Sequence, residues 1–187
     1  TKYIAEGLPK VAHLKESQDN AFYVYGTLAA INKEISEGLY YMSYYTPPYP
    51  LDILDKVRMG ICRDYVNLNI ARLRALGVPA AKDFAPQWGN RSLQHEWAVI
   101  LPDRNTFLPF GQNDPLGEHF FERGEYTTPK VFRKMYAKQT EMKMLCEAAE
   151  PIPDLFRSPT LMDVTDKYTT TCNIVVNLFN TKEIMSR

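Results

Sequence analysis

The feature that most constrains this chain is the stretch from Gly60 to Leu101, which joins a cysteine at a predicted helix start to a histidine at a predicted strand start. Apolar residues follow Cys62 at spacings of four, four and three, and they are Val66, Ile70 and Leu73. These spacings predict a helix with one apolar face, and they turn Cys62 toward the interior. Gly77 and Pro79 predict where the helix ends.

The histidine end of the stretch has the pattern of a β-strand. Residues 94–101 alternate between two faces, and the face that holds His95 also holds Trp97, Val99 and Leu101. A short strand is predicted over residues 80–85, and a return strand over 107–110 forms a hairpin with the His95 strand. The pattern therefore predicts an antiparallel sheet beside the Cys62 helix.

A cysteine and a histidine are the residue types of a thiol nucleophile and its base. A thiol is a weak nucleophile until it loses its proton, and a helix N-terminus and a nearby imidazole both lower its pKa, to roughly 3.5–7.5. A buried helical cysteine is more often a small apolar side chain. Here Gly60 gives access to Cys62, the helix start lowers the pKa of the thiol, and His95 is the candidate base. The sequence therefore predicts a reactive thiol with a lowered pKa.

These motifs resemble the transglutaminase-like branch of the papain-like cysteine enzymes. The core of that family reads G-x-C, then a helix ending in R-A-L-G-[IV]-P, then H-x-W at the start of a strand. This chain has Gly60-Ile61-Cys62, RALGVP at residues 74–79 and His95-Glu96-Trp97. Residues 83–88 also resemble a subgroup found in large multidomain bacterial proteins. The resemblance covers residues 26–115.

The resemblance implies an α+β fold with a papain/transglutaminase-like core, in which the Cys62 helix packs on an antiparallel β-sheet. It implies that Cys62 is the nucleophile, that His95 is its base, and that an Asp or Asn on the next strand orients the histidine. It also suggests, by family alone, a bacterial protein that is secreted or belongs to the cell envelope.

This chain departs from the family at the residue that orients the histidine. An ungapped alignment from His95 places Gly111 there, and glycine has no side chain to accept a hydrogen bond. Asp114 is followed by proline and restores the Asp-Pro pair of the family at a longer separation. Moving the centre of the predicted hairpin turn by half a residue exchanges Asp114 for Asn113 opposite His95. We predict Asp114 as the third catalytic residue, with Asn113 second and Gln112 third.

Aromatic residues flank this candidate site in sequence. Tyr44 and Tyr45 precede the proline-rich residues 47–50, which favour extended backbone, so the two rings line a peptide groove or cover the edge of the core. Trp88 lies in the loop before His95 and either flanks the site or fills a gap in the packing. All three are candidate substrate-binding residues.

The rest of the chain divides in two by its pattern. Helices are predicted from apolar spacing over residues 17–38, 51–57 and 130–146. Pro151-Ile152-Pro153 then breaks the chain. We predict a transglutaminase-like domain over residues 1–150 and a connector with the start of a β-rich module over 151–187. The sequence is expected to be part of a longer chain, whose other domains are its partners.

Charge and cysteine content argue against several classes of partner. Lys+Arg and Asp+Glu both number 22, so no net field attracts nucleic acid. No apolar run approaches the roughly 18 residues that a membrane span needs. The cysteines are too few and scattered for a disulfide framework, and His13, His119 and Cys146 offer no zinc-ligand spacing. We expect no metal, no cofactor, no nucleic acid and no membrane insertion, and a structural Cys172 in the core of a strand.

Two functions of different classes fit these patterns. The first is thiol-dependent acyl transfer or hydrolysis on a peptide or carboxamide substrate through a Cys62 thioester. Hydrolysis and transamidation share that intermediate, so the sequence does not separate them. The second is a catalytically degenerate domain that serves as a binding or scaffold module in a larger protein. The residue that orients His95 decides between the two.

Overall fold

The computed structural model describes residues 40–41, 47–75, 78–101, 106–110, 127–147 and 153–172. Helices in these ranges are α1 (Leu51–Val57), α2 (Cys62–Ala75) and α3 (Thr140–Glu147), with short 3-10 helices at Asp154–Phe156 and Thr165–Lys167. The predicted helices over 51–57 and from Cys62 onward are confirmed. None of the helices in these ranges has both the length and the apolar character to cross a bilayer. The helix predicted over 17–38 lies outside the described residues.

The strands in these ranges are β1 (Tyr40–Tyr41), β2 (Met59–Gly60), β3 (Ala80–Ala85), β4 (His95–Ile100), β5 (Leu108–Phe110), β6 (Phe132–Lys134) and β7 (Leu161–Asp163). β1 and β2 form a short parallel pair that leads into α2. The other five form one sheet in the order β5-β4-β3-β6-β7, and every neighbouring pair is antiparallel. The predicted strands and hairpin are confirmed, and so is the α+β class.

Helix α2 packs against one face of this sheet. The buried side chains at this contact form an apolar cluster of Val66, Ile70, Leu73, Val78, Ala80, Ala98, Ile100 and Phe110. The three helical residues that the sequence spacing identified all lie in it. The Val78 N–H donates to the Leu73 carbonyl at 2.9 Å and closes the C-terminal end of α2. Burying each large aliphatic side chain here stabilises the fold by roughly 1.5–3 kcal/mol.

The opposite face of the sheet is also covered. Its cluster consists of Ala81, Ala85, Trp88, Trp97, Val99, Val131 and Val164, with Tyr168 and Phe107 packed against it. Neighbouring residues of β3 and β4 alternate between the two clusters, as the two-residue period of a strand requires. The loop that contains Trp88 and the segment after α3 therefore cover this face of the sheet, as α2 covers the other.

Residues after position 153 join the sheet directly. β7 pairs with β6, and the Val164 N–H donates to the Val131 carbonyl at 3.0 Å. The Thr165 hydroxyl accepts a hydrogen bond from the Val131 N–H, also at 3.0 Å. Residues 153–172 thus pack on the sheet, although they follow the boundary predicted at residue 150. That boundary stays a prediction, and most of the predicted β-rich module lies outside the described residues.

Two local predictions are wrong. Residues 130–146 are not one helix, because β6 occupies Phe132–Lys134 and α3 begins only at Thr140. Val131, just before β6, and Arg133 within it are both buried, a two-residue period that the helical spacing of the apolar residues concealed. Cys172 is exposed and not in a strand, so it is not a core residue.

Candidate active site

The start of α2 is held by a carboxylate. Asp64 is buried, and one of its oxygens accepts a hydrogen bond from the Ile61 N–H at 3.1 Å, just before the helix begins. This contact satisfies one of the donors that a helix N-terminus leaves open, and the negative charge complements the helix dipole. A Cβ at Gly60 would lie 2.6 Å from the Asp64 Cβ, so only glycine allows this close approach. The glycine is therefore needed for the packing of Asp64, and the access to Cys62 predicted for it stays a prediction.

Cys62, the first residue of α2, lies against the start of β4. The backbone N–H groups of Glu96 and Arg63 lie near its half-buried sulfur and lower the pKa of the thiol. Glu96 follows His95 on β4, so the start of α2 lies beside the start of that strand. The His95 ring packs on Trp97, which belongs to the cluster on the face of the sheet opposite α2.

The electrostatic surroundings of Cys62 differ from the prediction. Burial raises the pKa of the Cys62 thiol above its ordinary value, and the Glu96 carboxylate adds to that increase. The backbone N–H groups and the charge of Arg63 lower the pKa, but they do not offset the burial. The expected lowering of the pKa is wrong for this structure, because the thiolate would have to form away from water.

His95 packs against two tryptophan rings. Its ring centre lies 5.8 Å from that of Trp88 and 6.0 Å from that of Trp97, with 25° and 26° between the ring planes. Trp88 is buried, and its backbone N–H donates to the Leu93 carbonyl at 2.9 Å within its own loop. Trp88 therefore flanks the histidine and fills the packing at once. Its role in substrate binding stays a prediction.

Trp97 is hydrogen-bonded to a buried group of polar residues that the sequence analysis missed. Its indole N–H donates to the Tyr168 hydroxyl at 2.8 Å, and that hydroxyl donates to Asp83 at 2.6 Å. Arg133 donates two parallel hydrogen bonds to the Asp83 carboxylate, at 2.7 and 2.8 Å. We call Trp97, Tyr168, Asp83 and Arg133 the Tyr168 network. An aspartate within a buried strand of small apolar residues was the available signal, because such a charge requires a partner.

Burial opposes the charges of both Asp83 and Arg133. It raises the pKa of the Asp83 carboxyl, and the hydrogen bonds from Arg133 and Tyr168 offset only part of that rise. The pKa of Arg133 is raised, since its hydrogen bonds and charge interaction with Asp83 outweigh the desolvation. Burial also raises the pKa of Tyr168 beyond its usual range, so the hydroxyl keeps its proton and remains a donor. The network therefore consists of a phenol that keeps its proton beside the hydrogen-bonded side chains of Asp83 and Arg133.

Several predicted site residues lie outside the described residues: Asp114, Asn113, Gln112, Tyr44 and Tyr45. His13 and His119, to which the sequence assigned no role, also lie outside them. Among the residues that the structure describes, no three His, Cys, Asp or Glu side chains are grouped so that they could hold a metal ion.

No protein-family model matches this chain, and no curated protein matches it. A solved structure, described as a putative cysteine protease from Cytophaga hutchinsonii, is 25% identical over the aligned part with a TM-score of 0.36. The alignment covers 49% of this chain and 32% of that one. A likeness at this TM-score identifies neither the fold nor the function.

Proposed function

We propose that this protein is a cysteine hydrolase or acyltransferase that acts on peptide or carboxamide groups, with Cys62 as nucleophile and His95 as base. The observation that supports the proposal is the approach of the start of α2 to the start of β4, where the backbone N–H of Glu96 lies near the Cys62 sulfur. It joins a helix start and a strand start, each of which supplies one of the two groups that thiol catalysis needs.

The raised pKa of Cys62 sets the order of the proton transfer. At neutral pH the resting thiol keeps its proton, so His95 removes it while the sulfur attacks the substrate carbonyl carbon. The backbone N–H groups of Glu96 and Arg63 stabilise the charge that develops on the sulfur. The proposed mechanism is therefore general-base catalysis, in which the thiol loses its proton during the attack. It does not require a thiolate to be present before the substrate binds.

The later steps follow from the thioester. A sulfur–carbon bond forms, the carbon–nitrogen bond breaks, and the amine leaves with the proton that His95 gained. Water or a second amine then attacks the thioester carbon while His95 takes a proton from it. The sulfur–carbon bond breaks, and His95 returns that proton to the sulfur, so Cys62 is again a thiol. Water gives hydrolysis, and an amine gives transamidation.

The third residue of the proposed site is Asp114 or Asn113. β5 pairs with β4 so that Ala98 lies opposite Phe110 and Ile100 opposite Leu108. The same register, extended along the sequence to His95, favours Asn113 over Asp114. Either side chain can accept a hydrogen bond from the imidazole N–H, as in Cys-His-Asp and Cys-His-Asn sites.

Alkylation with iodoacetamide, followed by mass spectrometry of the cysteine peptides, tests the proposal. His95→Ala should lower the rate of Cys62 alkylation at pH 7 by roughly 10²- to 10⁴-fold, the usual contribution of a general base. Exposed Cys172 is an internal reference, and its rate should be the same in both proteins. Equal alkylation of Cys62 in the two proteins would refute His95 as its base.

Paired variants identify the third residue in the same assay. Asp114→Ala and Asn113→Ala should differ, and the larger fall in the Cys62 alkylation rate marks the side chain that orients His95. If both variants react as the unmodified protein does, the site has no orienting residue at either position.

A second function is favoured by the raised pKa itself. A buried thiol with a raised pKa is typical of a structural cysteine, and it fits a domain that binds peptide without turnover. In that case Tyr44, Tyr45 and Trp88 would serve as contact residues, and His95→Ala would reduce stability without changing thiol reactivity. Thermal unfolding of His95→Ala, measured beside its alkylation rate, separates the two functions.

A further inference from the structure

Trp97 makes two contacts of different kinds. Its ring lies almost parallel to the His95 ring, with 6.0 Å between the ring centres. Its indole N–H donates to the Tyr168 hydroxyl at 2.8 Å. Trp97 is 1% exposed, so the packing and this one hydrogen bond fix the orientation of the ring. An imidazole that packs on a fixed ring is restricted in turn.

The Tyr168 hydroxyl is fixed by its other partner. It donates to Asp83, and the two hydrogen bonds from Arg133 hold that carboxylate in one plane. The Tyr168 ring also meets the rings of Trp97 and Phe107 edge-on, with centres 5.6 and 5.1 Å apart. The Asp83 carboxylate and the Tyr168 hydroxyl, which lie between the Arg133 guanidinium and the Trp97 indole, therefore each have defined hydrogen-bond partners.

We infer that Tyr168 is a positioning residue for His95, acting through Trp97. This inference rests on the proposed function, in which His95 takes the proton of Cys62. Proton transfer requires the imidazole nitrogen within hydrogen-bonding reach of the sulfur, and a displacement of about 1 Å can cost roughly 100-fold in rate. The Tyr168 network limits that displacement from the side of the sheet that α2 does not cover.

The chain contains a reporter for this contact. It has two tryptophans, and both rings lie against His95. A protonated imidazole quenches indole emission and interacts with the ring as a cation. The tryptophan emission of the folded protein should therefore fall in one step when His95 gains a proton. His95→Gln should remove this step, although His13 and His119 remain.

Tyr168→Phe is the decisive variant. It keeps the ring that contacts Trp97 and Phe107 but removes the hydroxyl, so the Trp97 indole N–H and Asp83 each lose a partner. We expect the emission step to change in amplitude and the rate of Cys62 alkylation to fall by roughly 10- to 100-fold. Tyr136→Phe is the matched control, because Tyr136 is exposed and its ring packs under Arg74 away from the network. It should change neither measurement.

The results separate this inference from the proposed function. If His95→Gln slows alkylation but Tyr168→Phe changes neither readout, the inference is overturned and the proposed function stands. If His95→Gln leaves alkylation unchanged while Tyr168→Phe alters the emission step, the coupling of Tyr168 to His95 is supported and the proposed function fails.

Trp97→Phe is the second variant, for the case in which Tyr168→Phe does not fold. It keeps an aromatic ring beside His95 and removes the indole N–H, so it should slow Cys62 alkylation in the same way. If both variants lose the folded state in circular dichroism, the network is required for the fold itself, and the inference is overturned.

Discussion

The two faces of the sheet are held by different forces. On the α2 face the buried cluster is apolar, and burial of such side chains stabilises without fixing direction. On the opposite face an ion pair, a phenol and an indole N–H lie among the apolar side chains, and their hydrogen bonds do fix direction. Both faces bury apolar side chains, and the second adds hydrogen bonds that orient the residues beside His95.

The largest fall in stability is expected when an ion-pair partner on the face opposite α2 is removed. Asp83→Ala leaves the buried Arg133 guanidinium without its carboxylate, and the free energy of unfolding should fall by about 3–5 kcal/mol in urea denaturation. Lys130→Ala is the control, because it removes an exposed ion pair with Asp163 and should cost at most about 1 kcal/mol. Similar losses of unfolding free energy in the two variants would mean that removing a partner from the buried Asp83–Arg133 pair costs no more than removing one from an exposed pair.

A smaller effect is expected on the α2 face. Ile70→Val removes one buried methyl group and should lower the free energy of unfolding by about 0.5–1.5 kcal/mol. The rate of Cys62 alkylation and the tryptophan emission step should stay as they are in the unmodified protein. A variant that slowed alkylation as much as Tyr168→Phe would contradict the division of roles between the faces.

The smallest effect concerns the Cys62 thiol at the start of α2. Because burial raises the pKa of Cys62 in the folded state, the folded protein holds the thiol proton more tightly than the unfolded chain does. The resulting stabilisation is complete below the unfolded thiol pKa of about 8.5 and is lost as the pH rises through the folded value. The stability difference between the unmodified protein and Cys62→Ser should therefore be constant between about pH 6 and pH 8 and decline above about pH 9. A difference that grew with pH would mean a lowered pKa.

The α2 face could be predicted from the sequence because its signals are local. Val66, Ile70 and Leu73 reveal their shared burial by spacing alone, and the strand that begins at His95 does so by alternation. The helix start at Cys62 was visible for the same reason.

The opposite face could not be predicted, because its contacts join distant positions. Asp83 lies 50 residues from Arg133 and 85 from Tyr168, and no local pattern relates them. Arg133 even falls in a stretch whose apolar spacing favours a helix. The pKa of Cys62 escaped prediction for a related reason, since a helix start and a nearby histidine are visible in a sequence but the depth of burial is not.

The edge strand β7 decides where this chain can be shortened for expression. Its pairing with β6 occupies backbone groups that would otherwise form an open sheet edge. A polypeptide that stopped before residue 153 would expose β6, lose the Thr165 acceptor of the Val131 N–H, and present a template for pairing with another copy of itself. Such a shortened form would be prone to self-association, and solubility screens should keep residues through Tyr168.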